Sequence, residues 1–182
     1  VACVVSAATP KYVFYFIGDG MGANQVMATE MYQAAIEKRI DVKKLTMTQF
    51  PYSGQLSTFS ASHRITDSSA AGTCLASGVK TTNGKEGVDP NDNKVRNIAE
   101  ILKEEGWGIG VASSVSIDHA TPGAFYAHVP SRSDYYTIGK QLASSNYAFV
   151  GGASFLKPFN VNQSNDDDMF TLCKKSGYTF VR

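Results

Sequence analysis

An α/β fold built on a mostly parallel sheet is predicted by three observations. Short β-branched and aromatic runs alternate along the chain with segments of helical period, the signature of βαβ units. Hydrophobic residues make up 43% and charged residues only 18% of the 182 positions, which is the composition of a packed domain and not of a disordered chain. The segments that follow the apolar runs are rich in Gly, Asp, Ser and Thr, as expected of loops at the carboxyl ends of parallel strands, where such folds place their chemistry.

The elements follow in order. Residues 11–17 are an apolar, aromatic and β-branched run closed by Gly18-Asp19-Gly20, which predicts a buried strand ending in a tight turn. Over 23–36, Val26, Met27, Glu30, Met31, Ala34 and Ala35 recur at three- and four-residue spacings, a helical period. Residues 52–60 alternate well enough for a second strand. The small residues of 68–77 form a helix stopped by Gly78. Residues 95–105 read as an amphipathic helix, with Ile98, Ile101 and Leu102 on one face and Gly106 at its end. A strand over 108–115, a helix over 134–144, a strand over 147–150, a helix over 166–176 and a strand over 178–181 complete the pattern. The polar stretch 160–168 reads as a surface turn leading into an N-cap.

Charge and cysteine narrow the function. Seventeen basic against sixteen acidic residues leave a net charge of +1, which argues against a nucleic-acid or polybasic membrane binder. No apolar run approaches the roughly 20 residues of a membrane span. Cys3, Cys74 and Cys173 have no short spacing between them, so no CxxC metal or redox motif and no disulfide framework is indicated. Cys74 reads as a small apolar side chain on its helix. Residues 1–8 are all apolar or small; they read as the end of a secretory signal cleaved after Ala8, as a lipoprotein box with Cys3 lipidated, or as an uninformative end.

Three loops carry groups suited to catalysis. In Gly18-Asp19-Gly20-Met21-Gly22 the glycines allow a sharp turn and set Asp19 at a strand's carboxyl edge, where a carboxylate holds a hard cation. The GxGxxG spacing of a dinucleotide loop is absent, and an aspartate there would repel pyrophosphate. In 65–73 Asp67 and Ser68 stand at the start of a helix, whose positive end favours an anion, and an alkoxide over a hydroxyl. In 118–132 His119 and Thr121 offer an imidazole and an oxygen to a metal or its waters, and Arg132 offers a planar fork for two phosphate oxygens. Each feature taken alone has an ordinary structural reading: an Asx-turn for Asp19, a helix cap for Asp67 and Ser68, a surface arginine for Arg132, a satisfied histidine for His128.

Together the loops resemble the alkaline phosphatase family of metal-dependent phosphomonoesterases. Its nucleophile signature, Ile or Val, any residue, Asp-Ser, then small residues and Thr, is filled at every position by Ile65 through Thr73. The Gly-Asp-Gly-Met-Gly loop, Gly78 to Gly84, Gly87-Val88-Asp89 and the His-Ala-Thr-Pro…His…Ser-Arg stretch follow in the family's order, so the resemblance covers about residues 11–155. It implies a three-layer α/β fold with helices on both faces of the sheet. It also implies that Ser68 is the phosphorylated nucleophile, that Arg132 holds the substrate phosphate, and that Asp67 positions this arginine. Asp19 would bridge one zinc and the magnesium site, Ser68 would face zinc, and Thr121 would ligate magnesium. His119 stands where many bacterial members have a magnesium-serving aspartate and others, vertebrate ones included, have histidine.

The implied reaction is two in-line displacements at phosphorus, with two Zn2+ and one Mg2+ supplying charge. A small phosphomonoester is the implied substrate and inorganic phosphate the product. Same-fold alternatives are a phosphodiesterase or a sulfatase; a non-catalytic phosphate-binding chain is the third reading. The family completes its metal sites with Asp-x-x-x-His, an adjacent Asp-His pair, a late His and a Glu, whereas residues 133–182 contain no histidine. Residues 9–182 are therefore expected to be the N-terminal portion of one catalytic domain, inactive alone. Periplasmic or secreted localisation and a full-length homodimer are the further implications.

Overall fold

The computed structural model describes residues 10–163 and 165–181. The expected signal or lipid-anchor segment at 1–8, with Cys3, lies outside the described residues. The chain divides into two compact units, Val1–Ser53 and Gly54–Arg182.

In the first unit the run at 11–17 forms no strand among the described residues, and Tyr12, Phe14 and Phe16 are exposed. Its composition suits a strand, but a strand exists only as one edge of a ladder, and none is formed here. The glycine turn that follows does form: Met21 N–H donates to Gly18 O at 3.1 Å, with Gly20 at φ +69°. Helix α1 (Ala23–Ile36) then starts at Gly22, whose N–H is taken by Gln25 Oε1 at 3.0 Å. Glu30 ties α1 to a 3-10 turn at Thr46–Gln49 by accepting from Leu45 N–H at 3.0 Å and Thr48 Oγ1 at 2.5 Å.

The second unit contains α2 (Ser68–Ser77), α3 (Ile98–Glu104), β1 (Gly110–Ala112), α4 (Ala120–Gly123), α5 (Tyr135–Ser145), β2 (Phe149–Gly151) and α6 (Met169–Lys175). Each main helix is capped as its sequence dictates. Asp67 accepts from Ala70 N–H at α2, Asn97 from Glu100 N–H at α3, Asp134 from Thr137 N–H at α5, and Asp168 from Phe170 and Thr171 N–H at α6. Gly78 ends α2 in the left-handed region at φ 75°.

β1 and β2 pair in parallel, with Val111 opposite Val150, and the chain between them passes through α4 and α5. The expected parallel βαβ unit is thus present, in a two-stranded form. β1 is shorter than the expected 108–115, and residues 52–60 and 178–181 form no strand among the described residues. The core lies under α5, where Ile138 and Leu142, four residues apart, pack with Ile117, Tyr126, Val129 and Tyr147. Burying each of these aliphatic side chains contributes roughly 1.5–3 kcal/mol. Cys173 is buried on α6, while Cys74 is only half-buried.

Helix α4 was not expected from the sequence. It begins beyond the carboxyl end of β1 and packs against α2, so closely that a Cβ on Gly72 would sit 3.0 Å from Ala124 Cβ. No helix among the described residues is long and apolar enough to cross a membrane.

Candidate active site

The site in the second unit grows from the N-terminus of α2. Asp67, the N-cap, uses both carboxylate oxygens. Oδ1 accepts from Ala70 N–H at 3.0 Å; Oδ2 accepts from Ser69 Oγ at 2.8 Å, Gly84 N–H at 3.0 Å and Arg132 Nη1 at 3.1 Å. Burial pushes this carboxyl up, but the four hydrogen bonds outweigh it, so Asp67 lies below the ordinary carboxylate range and stays charged. Ser68, half-buried, is the first residue of the helix, where the dipole favours negative charge.

Arg132 reaches Asp67 from a ribbon of two antiparallel segments. Glu86 and Val129 exchange backbone hydrogen bonds of 3.0 and 2.8 Å, and Arg132 N–H donates to Gly84 O at 2.7 Å. The same Gly84 gives its own N–H to Asp67, so the ribbon and the helix cap share one carboxylate. His128 buttresses the ribbon. Its Nδ1 lies 2.6 Å from Gly87 O and its Nε2 3.0 Å from Glu100 Oε1, while its backbone exchanges hydrogen bonds with the Gln141 amide. A carbonyl only accepts, so Nδ1 carries a proton. Burial alone would raise Glu100, but Lys94, the Asn97 N–H and His128 bring it below the ordinary range.

His119 caps α4 from its N-terminal side and Thr121 lies in its first turn. His119 Nδ1 is buried with no hydrogen-bond partner, an orphaned acceptor or donor of the kind a ligand satisfies. Asp118 beside it is fully buried and is spoken for, since Leu156 N–H donates at 2.8–2.9 Å and Lys157 N–H at 3.2 Å. Among the described residues no three His, Cys, Asp or Glu side chains are grouped so as to hold a metal ion.

The structure thus brings Asp67, Ser68 and Arg132 together, and sets His119 and Thr121 on α4, the helix packed against α2. Asp19 belongs to the first unit, on the turn before α1. Sequence reading gave no role to Gly84, Ser69 or Asn83. The last accepts from Asp67 N–H at 3.3 Å and donates to Ile65 O at 3.0 Å, fixing the approach to Ser68. Its position beside Gly84, in the loop after α2, was the available signal.

Comparison with known proteins agrees across sequence and structure. The alkaline phosphatase family profile matches residues 10–148. Alkaline phosphatase 4 of Bacillus subtilis (strain 168) is 33% identical over 94% of this chain and 38% of its own length. The tissue-nonspecific alkaline phosphatase of Gallus gallus is 32% identical over 71% of this chain and 27% of its own. Among solved structures, a cold-active alkaline phosphatase from a psychrophilic Shewanella superimposes with a TM-score of 0.71 at 26% identity, covering 90% of this chain and 39% of that one. Alkaline phosphatase of the Antarctic bacterium TAB5 gives 0.67 at 27% identity, and two of its histidine mutants are described with Mg bound in the M3 site. The chain spans about two fifths or less of the length of these relatives. Its match over residues 10–148, which include Asp67, Ser68 and Arg132, makes this chain a member of the alkaline phosphatase family.

Proposed function

We propose that this chain carries the nucleophile and phosphate clamp of a metal-dependent phosphomonoesterase that works through a phosphoserine on Ser68. The observation that supports this most is the Asp67–Arg132 ion pair of 3.1 Å, made at the N-cap of α2, next to Ser68. Asp67 engages one Nη of Arg132, and a guanidinium has further donors in a fixed fork for two phosphate oxygens. Held between helix cap and ribbon, the fork needs little reordering when a phosphate arrives, which favours positioning of phosphorus in line with Ser68 Oγ.

In the first displacement the Ser68 hydroxyl gives up its proton and its oxygen bonds to phosphorus, as the ester oxygen leaves and takes up a proton. Water then displaces the serine oxygen and releases inorganic phosphate. Arg132 stays on the equatorial oxygens through both steps, where charge develops.

The orphaned Nδ1 of His119, and the hydroxyls of Ser68 and Thr121 in the same unit, suit hard to borderline cations. Ser68, Thr121 and His119 would hold part of the two zinc sites and the magnesium site, and Asp19, on the turn of the first unit, is assigned as a further ligand by the family resemblance alone. Such ions supply positive charge at the nucleophile, the leaving group and the phosphoryl oxygens. The substrate is a small phosphomonoester and not nucleic acid, in keeping with a net charge of +1. Residues 9–182 are proposed as one portion of a single catalytic domain; a full-length homodimer and periplasmic or secreted localisation follow from the family reading, and lipidation of Cys3 is the alternative offered by the Val1-Ala2-Cys3 sequence.

Rates on an aryl phosphate, its methyl ester and an aryl sulfate, measured with the full-length protein, test the substrate class. A clamp built for a dianion is expected to favour the monoester by about 10⁴-fold in kcat/KM. A faster reaction with the diester or the sulfate overturns the assignment.

A further inference from the structure

The backbone that leads to Ser68 has no strand beside it. Asp67 is extended, at φ −99° and ψ 174°, and residues 65–67 belong to no ladder among the described residues. Extended backbone still needs hydrogen-bond partners, and the Asn83 side chain supplies them. Its Oδ1 accepts from Asp67 N–H at 3.3 Å and its Nδ2 donates to Ile65 O at 3.0 Å, the acceptor and donor that one residue of a neighbouring strand would offer. Apolar packing does not fix this segment, because Ile65 is 84% exposed.

Asn83 is itself held from both sides. Its own N–H donates to Ser62 Oγ at 3.0 Å, and that oxygen lies 2.7 Å from His63 Nδ1. Gly84 follows in the left-handed region at φ 88°, where a side chain is strained. This turn gives the Gly84 N–H to Asp67 Oδ2 at 3.0 Å and leaves its carbonyl to accept from Arg132 N–H at 2.7 Å. Two consecutive residues thus bond to the backbone before the nucleophile, to the carboxylate beside it and to the backbone of the arginine. The sense of the Asn83 amide is set by its partners, since an N–H requires an acceptor and a carbonyl a donor.

We propose that Asn83 is a positioning residue for phosphoryl transfer: its amide takes the place of a strand neighbour, fixes the backbone that presents Ser68, and through Gly84 ties that backbone to Arg132. The proposal rests on the role given above to Ser68. Asn83 acts through the backbone of Ile65 and Asp67, so its effect is one of placement. In-line attack needs the reacting atoms about 3–3.5 Å apart, and a misplacement of about 1 Å costs about 10²-fold. The Asp67 carboxylate keeps Ala70 N–H, Ser69 Oγ and Arg132 Nη1 whether or not the amide is present. Loss of the amide therefore falls on the chemical step and not on phosphate binding.

The test uses the full-length protein, an aryl phosphate as substrate and inorganic phosphate as competitive inhibitor. Single-turnover rates are measured with enzyme in saturating excess, so that a loss of folded protein lowers the enzyme concentration but not the rate constant. N83A is expected to lower that rate constant by about 10²-fold and to change the phosphate inhibition constant by less than about threefold. N83D keeps an acceptor for Asp67 N–H but turns a second acceptor towards Ile65 O, so it is expected to lose at least as much. S62A removes the oxygen behind Asn83 at an exposed position and carries the test if neither Asn83 variant folds; it is expected to lower the rate constant by about threefold to tenfold, again with phosphate affinity kept. An unchanged rate constant in N83A, or in S62A where it carries the test, overturns the proposal, as does an equal loss of rate and phosphate affinity. S68A separates the two readings: if it abolishes turnover while N83A does not slow it, only the role of Asn83 falls, and if S68A stays active, the role of Ser68 falls with it.

Discussion

Replacing Ser68 with alanine in the full-length protein is expected to abolish turnover of a simple aryl phosphate. Loss of a single transition-state donor costs about 10²–10³-fold in other enzymes, and removing the nucleophile closes the covalent route altogether, so the fall is expected to exceed that range. Phosphate binding should survive in the same variant, because Arg132 remains bonded to Asp67, whose own carboxylate caps Ala70 N–H. Asp67, not Ser68, is the N-cap, so stability should change little. Near-normal kcat in S68A contradicts the role given to Ser68. Lost kcat with intact phosphate inhibition is the expected pair of results.

The second large effect concerns metal ions. Hydrolysis of a phosphate monoester requires acceleration of up to roughly 10²¹-fold, more than about 23 kcal/mol. A positioned acid or base supplies about 10²–10⁴ of this, and one well-aimed donor about 10²–10³. The serine and the arginine of this chain fall far short together, and the remainder is assigned to positioning and to cations. Removing divalent cations from the full-length protein with a chelator is therefore expected to lower kcat/KM by at least about 10³-fold, with recovery on adding zinc and magnesium. Undiminished activity in protein shown by elemental analysis to be metal-free contradicts the reading of Asp19, Thr121 and His119 as ligands.

The helices of the site were legible because their signals are local. Asp67 before a run of small residues and Gly78 after it set both ends of α2 within the same ten-residue span that the structure shows. Residues 166–176 contained the cap of α6 in Asp168, although the helix itself begins one residue later at Met169. Strands are not local objects. Residues 11–17 have the apolar and β-branched composition of one, yet a strand is defined by hydrogen bonds to a neighbour, and among the described residues that run forms no such ladder. The four-residue α4 was invisible for another reason: Ala120-Thr121-Pro122-Gly123 has poor helical propensity in its second half, and the helix is held by packing on α2.

The candidate site shows the same division. Asp67 and Ser68 stand in the signature that carries the family resemblance, and the structure brings Arg132 to Asp67 beside them. How they are held was not legible. That Gly84 bonds to Asp67, that His128 fastens the ribbon to Glu100, and that Glu86 pairs with Val129 depend on contacts 17, 28 and 43 positions apart. A glutamate between Lys85 and Gly87 reads as a surface charge, since glutamate is seldom fully buried. Its environment at Gly123, 37 positions further along, appears only in three dimensions.

The most direct test of the whole account is to trap the covalent intermediate. Full-length protein mixed with an aryl phosphate and quenched in acid, then digested and analysed by mass spectrometry, is expected to carry one phosphoryl group on the peptide that contains Ser68, with none in S68A. Turnover of the substrate with no phosphoryl group on Ser68 under conditions that preserve phosphoserine, or with the group on another residue, contradicts it.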